Sequence, residues 1–207
     1  DHCSMIPWEF FTDARFSIIK EEFPDPEKFP LYYKATKQEF IIREGEFLFI
    51  PAGWFHFVFS EEVGTYGYNF AINHWYYPPV GFKFGKSNGD KPYIGKHDIP
   101  NLNLDDYIKD EQIFNVGFKV DGVFGTGNVK DSINYRIMTW KDFKDARDPD
   151  TYIVQAESPL TDTYMLPHTT EHSDSSIWIN YGNCKTLMHC DLNDNKLCQV
   201  MGTRRVI

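Results

Sequence analysis

A chain of 207 residues, 42% hydrophobic and 17% aromatic, is long enough for one substantial core and too apolar for a disordered segment. Its formal charge of -9 argues against a binder of phosphate backbones, which present a basic face, and suits a basic partner or solubility alone. The four cysteines form no C-x-x-C pair, no apolar run reaches the roughly 20 residues of a membrane span, and DHCSMIPW does not read as a signal peptide. The expectation is a protein with reduced thiols inside the cell, cytoplasmic or nuclear, with no nucleic-acid or membrane partner.

In chain order, Trp8 to Glu22 is ambiguous, with Phe11, Ile18 and Ile19 at helical spacing. Glu46 to Ile50 is an apolar run closed by Pro51-Ala52-Gly53, which predicts a buried strand. Trp54 to Ser60 and Tyr66 to Tyr77 are predicted to follow as strands. Residues Pro78 to Pro100 carry Gly81, Gly85, Gly89 and Gly95 without periodicity, and read as a surface connection. Asn103 could cap a helix bearing Leu104, Tyr107, Ile108 and Phe114, and Thr139 one bearing Trp140, Phe143 and Ala146. Gly122, Gly125 and Gly127 read as a glycine-rich turn, since no Lys-Ser or Lys-Thr follows them. Ser176 to Asn180, Thr186 to Asp191, Leu197 to Met201 and Arg204 to Ile207 complete the predicted strands.

The chemistry centres on His189-Cys190-Asp191. On a strand, alternate side chains share a face, so His189 and Asp191 would point together and Cys190 away. A second imidazole from another strand would complete a two-His, one-carboxylate set that leaves positions open on Fe(II). His56, just after the Pro51-Ala52-Gly53 turn, is the best candidate. His74 is expected to pack away from Asn73, while His2, His97, His168 and His172 read as surface or loop residues.

At these residues the sequence resembles a family. EGEFLFIPAGWFHFV resembles the segment carrying the distal iron-binding histidine of Jumonji-C proteins in the cupin-like hydroxylase group. IWINYGNCKTLMHCDLNDNKLCQVMGTRRVI resembles the strand pair carrying their H-x-D, and TYGYNFAINHWYY the strand closing the same barrel. With FPDPEKFPLYYKA, these segments cover well over half the chain. The resemblance implies a mostly β fold, a double-stranded β-helix (jelly-roll, cupin) barrel with a few flanking helices. It implies an Fe(II)- and 2-oxoglutarate-dependent dioxygenase, with His189, Asp191 and His56 as the metal ligands. Thr186, Asn195, Asn73 and Tyr164 match positions that touch 2-oxoglutarate or shape its pocket. Arg204 falls where a lysine often pairs with the distal carboxylate; a guanidinium can grip a carboxylate through two N–H donors but with a different reach. Arg205 is the fallback.

The motifs stand in reversed order, since the family places H-x-D before the distal histidine. A circular permutation, a segment spanning two tandem barrels, or an unusual numbering of two pieces would each explain it. The favoured organisation is one domain over 1–207: 5–77 as the C-terminal half of the barrel, 78–100 as connection, and 101–207 as the N-terminal half. The expected reaction is hydroxylation of a C–H bond on a protein or peptide side chain, with a small molecule as the next choice. A non-catalytic cupin-type binding module and a metal-dependent cupin enzyme without 2-oxoglutarate are the rivals. A homodimer is left open.

Overall fold

The structure is a computed structural model, and it describes residues 17, 19, 21–77, 91–119, 134–157 and 172–207. Tyr164, His2, His168, the glycine-rich turn at 122–127 and most of the Trp8–Glu22 segment lie outside the described residues.

Twelve strands, one α-helix and two 3-10 turns (Tyr32–Lys34 and Leu104–Asp106) make up the regular structure among the described residues. They are β1 (Phe40–Ile42), β2 (Glu46–Ile50), β3 (Val58–Glu62), β4 (Asn69–Tyr76), β5 (Tyr93–Lys96) and β6 (Ile113–Phe118). There follow β7 (Asn134–Thr139), α1 (Trp140–Ala146), β8 (Thr151–Ala156), β9 (His172–Asn180), β10 (Cys184–Lys185), β11 (Asp194–Met201) and β12 (Thr203–Val206). All strand pairs are antiparallel, in a four-stranded sheet ordered β1-β12-β3-β10 and an eight-stranded sheet ordered β5-β2-β11-β4-β9-β8-β6-β7.

The pairing interleaves the two ends of the chain. β11 lies between β2 and β4, and β12 lies between β1 and β3. Two antiparallel sheets with few helices make this a mostly β, cupin-type jelly roll. Ile42, Leu48, Ile50, Ala71, Leu197 and Val206 fill the space between the sheets, drawn from both ends of the sequence. Each buried Val, Leu or Ile side chain among them contributes about 1.5–3 kcal/mol. The barrel therefore cannot close without both.

β4 is buried at every position from Asn69 to His74 because both of its faces are covered. Ala71 faces the space between the sheets, whereas Phe70 and Ile72 pack outward against Leu104, Ile108, Trp140 and Phe143. His74 lies on that second face, buried, with Nδ1 2.9 Å from Ser175 Oγ. α1 begins as its cap requires: Thr139 Oγ1 accepts from the Asp142 N–H at 3.1 Å.

Several predicted elements differ. Asn103 caps a single 3-10 turn (Leu104–Asp106), not a helix reaching Phe114, which lies in β6. The apolar residues there pack by short-range turns against β4, so no helical periodicity had to be sustained. The expected connection 78–100 contains β5, which extends the large sheet beside β2. His97 is half-buried rather than at the surface, with Nε2 2.9 Å from the Gln199 carbonyl. Cys184, Cys190 and Cys198 are free thiols, as the sequence predicts, and all are buried. No helix among the described residues is long and apolar enough to cross a membrane.

The β11–β12 corner turns on Gly202, at φ +80°. A Cβ there would collide with the Glu62 carbonyl oxygen and crowd Asn69 Nδ2. Gly202→Ala is expected to destabilise the protein by at least the ~1–3 kcal/mol that a left-handed non-glycine residue costs. Urea unfolding measures it, and an unchanged midpoint would show that the corner is not constrained.

Candidate metal centre

Three elements converge at one end of the barrel. The turn after β2 runs through Gly53 at φ +84°, a conformation open to glycine and costly for other residues. Its N–H donates to the Asp191 carbonyl at 2.8 Å, and the Ala52 N–H donates to Asp194 Oδ1 at 2.8 Å. These bonds pin the Pro51–Trp54 turn onto the Asp191–Asp194 turn. Beyond it, His56 and His189 form an isolated antiparallel bridge, exchanging backbone hydrogen bonds of 2.8 and 3.1 Å.

The expected strand over Thr186–Asp191 is not continuous. β10 covers only Cys184–Lys185, and the rest of the segment is held by discrete bridges to residues 53–58. His189 and Asp191 still face the same space, but this follows from the bridges rather than from strand alternation.

The metal-ligating atoms of His56, His189 and Asp191 lie within 4.8 Å of one another. The imidazole centroids are 4.4 Å apart, and His56 Nε2 is 3.7 Å from Asp191 Oδ2. Each histidine sets its Nδ1 near the carbonyl two residues earlier, Trp54 O at 2.9 Å for His56 and Leu187 O at 2.7 Å for His189. A carbonyl can only accept, so each Nδ1 carries a proton, which leaves each Nε2 as the ring nitrogen for ligation. Two backbone carbonyls thus fix the tautomer that ligation needs.

Burial pushes the His56 imidazole down to about 4; neighbouring His189 adds to the shift and Asp191 opposes it. The 3.7 Å approach of His56 to Asp191 is therefore not an ion pair at neutral pH. It is a neutral imidazole beside a carboxylate, a donor set that suits a divalent cation and places one negative charge on it. Asn195 Nδ2 donates to Asp191 Oδ2 at 3.4 Å, which orients the carboxylate.

The other predicted positions divide. Register places Asn195 with Leu197 on the inward face of β11, and Asn69, Ala71 and Asn73 on the inward face of β4. Asn73 Oδ1 and Asn195 Oδ1 are buried acceptors with no protein partner among the described residues. Thr186 Oγ1 accepts from the Val58 N–H at 3.1 Å and stays close to that backbone. Arg204 is fully buried: its Nε donates to Asn69 Oδ1 at 2.8 Å and one terminal nitrogen to the Trp178 carbonyl at 3.4 Å. No carboxylate pairs with it among the described residues, and burial depresses its pKa. Arg205 points outward, bonded to Glu22, Glu39 and Glu61, so the structure removes it as the fallback grip.

Sequence reasoning missed Tyr152, Trp178 and Asn180. Tyr152 is fully buried beside Arg204, with Asn180 and Ser60 as hydrogen-bond partners, and burial raises its pKa. Trp178 Nε1 is a buried donor without a protein partner among the described residues. Nothing local marks these residues; only the pairing of β8 and β9 with β4 turns them inward.

Comparison with known proteins follows the same lines. Residues 3–82 match the family model described as "Cupin-like domain". Over 60 residues, 29% of this chain, the sequence is 39% identical to tRNA wybutosine-synthesizing protein 5 of Gallus gallus, covering 19% of that protein. Over 76 residues, 33% of this chain, it is 34% identical to a lysine-specific demethylase of Arabidopsis thaliana, covering 22% of it. A putative JmjC domain-containing protein of Acanthamoeba polyphaga mimivirus is 23% identical over 229 residues, matching 93% of this chain and 37% of that protein. The chain thus covers well under half the length of each of these relatives. No solved structure matches. A jelly roll interleaved from both ends, with two histidines and an aspartate gathered together, thus accompanies a similarity to the cupin-like domain family over residues 3–82 and to a JmjC domain-containing protein over most of the chain.

Proposed function

We propose that the protein is an Fe(II)- and 2-oxoglutarate-dependent oxygenase that hydroxylates a C–H bond on a protein or peptide side chain. The observation that carries this is the meeting of His56, His189 and Asp191, from opposite ends of the chain, with ligand atoms within 4.8 Å. The family is typically one of Fe(II)/2-oxoglutarate oxygenases, which agrees with that donor set.

The residues present fit both groups. Two imidazoles with Nδ1 tied to carbonyls, and one carboxylate steadied by Asn195, are the donors for iron. Arg204, buried without a carboxylate among the described residues, is the cation for an anionic co-substrate, and Tyr152 and Trp178 add donors beside it. When bound, iron with 2-oxoglutarate and O2 supplies oxidative decarboxylation to succinate and CO2, coupled to insertion of one oxygen atom into a C–H bond.

The chain's own part is placement. Burial keeps the His56 imidazole neutral at neutral pH, His189 sets its Nδ1 on the Leu187 carbonyl, and Asp191 is held by Asn195. The guanidinium of Arg204 is a planar fork suited to two-point binding of a carboxylate. The apolar set around Leu48, Ile50 and Leu197 gives the barrel interior an apolar lining.

Purified protein supplied with Fe(II), ascorbate and 2-oxoglutarate is expected to form succinate without added substrate, and chelation should abolish the signal. Absence of iron-dependent succinate under every condition, together with no 2-oxoglutarate binding by calorimetry, would overturn the reading.

A further inference from the structure

A second feature opens onto the same centre. A solvent-open cleft of about 850 Å³ runs from the barrel interior at Leu48 and Ile50, past His56, to the segment at Leu31–Gln38. Its wall is largely apolar, with Trp54, Phe57 and Met188. Polar groups gather at the outer end, where Thr36, Lys37 and Gln38 stand.

Lys37 is the single cationic side chain on that wall among the described residues. Its Nζ lies 4.0 Å from the Tyr32 ring centroid, 5.4 Å from Tyr33 and 5.8 Å from Phe23. Three rings hold the ammonium in place by its attraction to their faces. They accept none of its three N–H donors as a carboxylate would, and no ion pair engages it among the described residues. Nearby Glu22 is already taken by Arg205, at 3.0 and 3.1 Å. Lys37 is therefore a positioned cation with its ordering cost already met, at the rim of an apolar channel that leads to a candidate metal ligand.

We infer that this cleft receives the primary substrate, a peptide whose apolar side chain enters toward His56 while an adjacent acidic residue pairs with Lys37. The inference rests on the oxygenase site and names the class of substrate that site takes. An apolar wall recognises an aliphatic side chain by burial, which is non-directional. The single charge at the rim supplies register and discriminates against basic neighbours. Backbone amides of such a peptide would lie at Thr36 and Gln38, the polar part of the wall, so no peptide group need be buried unpaired.

The test uses the full chain and three capped heptapeptides in a Gly/Ser background, with a central Leu followed by Asp, Asn or Lys. Binding is measured by calorimetry without metal, and succinate formation without peptide is measured separately. The Leu-Asp peptide is expected to bind about tenfold more tightly than Leu-Asn, with Leu-Lys weaker still. Lys37→Met should erase that ranking, Lys37→Arg should retain it, and Ala35→Trp, which fills the outer cleft, should weaken all three. Peptide-independent succinate formation should be unchanged in Lys37→Met. Equal binding of the three peptides, preference for Leu-Lys, no binding of any, or a ranking that survives Lys37→Met would each overturn the inference. Loss of succinate formation in the wild-type protein would instead strike the oxygenase reading alone.

Discussion

Replacing His189 with alanine is expected to abolish iron-dependent succinate formation while the protein still folds. The imidazole supplies one of the ligand atoms gathered within 4.8 Å, and no other His, Cys, Asp or Glu among the described residues joins that group. What holds the segment in place is backbone: the His56–His189 bridge and the Gly53 N–H on the Asp191 carbonyl. Both survive truncation of the side chain, so circular dichroism should be native and the melting temperature should move by only a few degrees. Asn195→Ala gives the comparison. Asn195 touches Asp191 through a 3.4 Å hydrogen bond and would not ligate, so its loss should cost about 10–100-fold, the usual effect of removing a partner behind a ligand. Turnover in His189→Ala that equals or exceeds that of Asn195→Ala would mean that the three residues are not the metal set.

The second large effect concerns Arg204. The residue is 1% exposed, and its guanidinium rests on an amide oxygen and a backbone carbonyl, with no carboxylate among the described residues. A buried cation in that setting costs several kcal/mol unless an anion joins it. Arg204→Met, which keeps the length and removes the charge, is therefore expected to leave the ligand-free protein as stable as wild type or about 1–3 kcal/mol more stable. Co-substrate should reverse the order. Under argon with Fe(II), 2-oxoglutarate at a hundred times its Kd should stabilise the wild type by about 2.7 kcal/mol and the methionine variant not at all. Differential scanning calorimetry with and without 2-oxoglutarate reads both effects. A variant that melts well below wild type would assign Arg204 to the scaffold. One that keeps the 2-oxoglutarate shift would move the distal carboxylate elsewhere.

Strand pairing is compatible with the reversed order of the motifs. A jelly roll requires each strand to find its neighbours, and β11 finds β2 and β4 across more than a hundred residues of chain. Hydrogen-bond ladders and the shared core of Ile42, Leu48, Leu197 and Val206 are indifferent to the direction in which the chain joins them. Permutation of a compact fold is tolerated for the same reason.

The residues of the centre were legible because their signals are local. An apolar run before Pro51-Ala52-Gly53 marks a strand and turn, H-x-D marks a candidate ligand pair, and β2, β4, β9 and β11 lie close to where period and turn residues predict them. The segment around His189 was misread as a strand because its apolar pattern is satisfied by bridges to residues 53–58, and isolated bridges leave no period in the sequence. The choice between Arg204 and Arg205 also lay beyond local pattern. Adjacent strand residues face opposite ways, but which face is the interior depends on the strands that flank β12, here β1 and β3. Tyr152, Trp178 and Asn180 entered the interior by the same non-local route. The sequence by itself determined which residue types stand ready for metal and which short stretches extend as strands. The tertiary structure alone decided that His56 meets His189 and Asp191, and that one arginine of a pair is sealed inside, because contacts between distant segments are set by the whole pattern of pairing and burial.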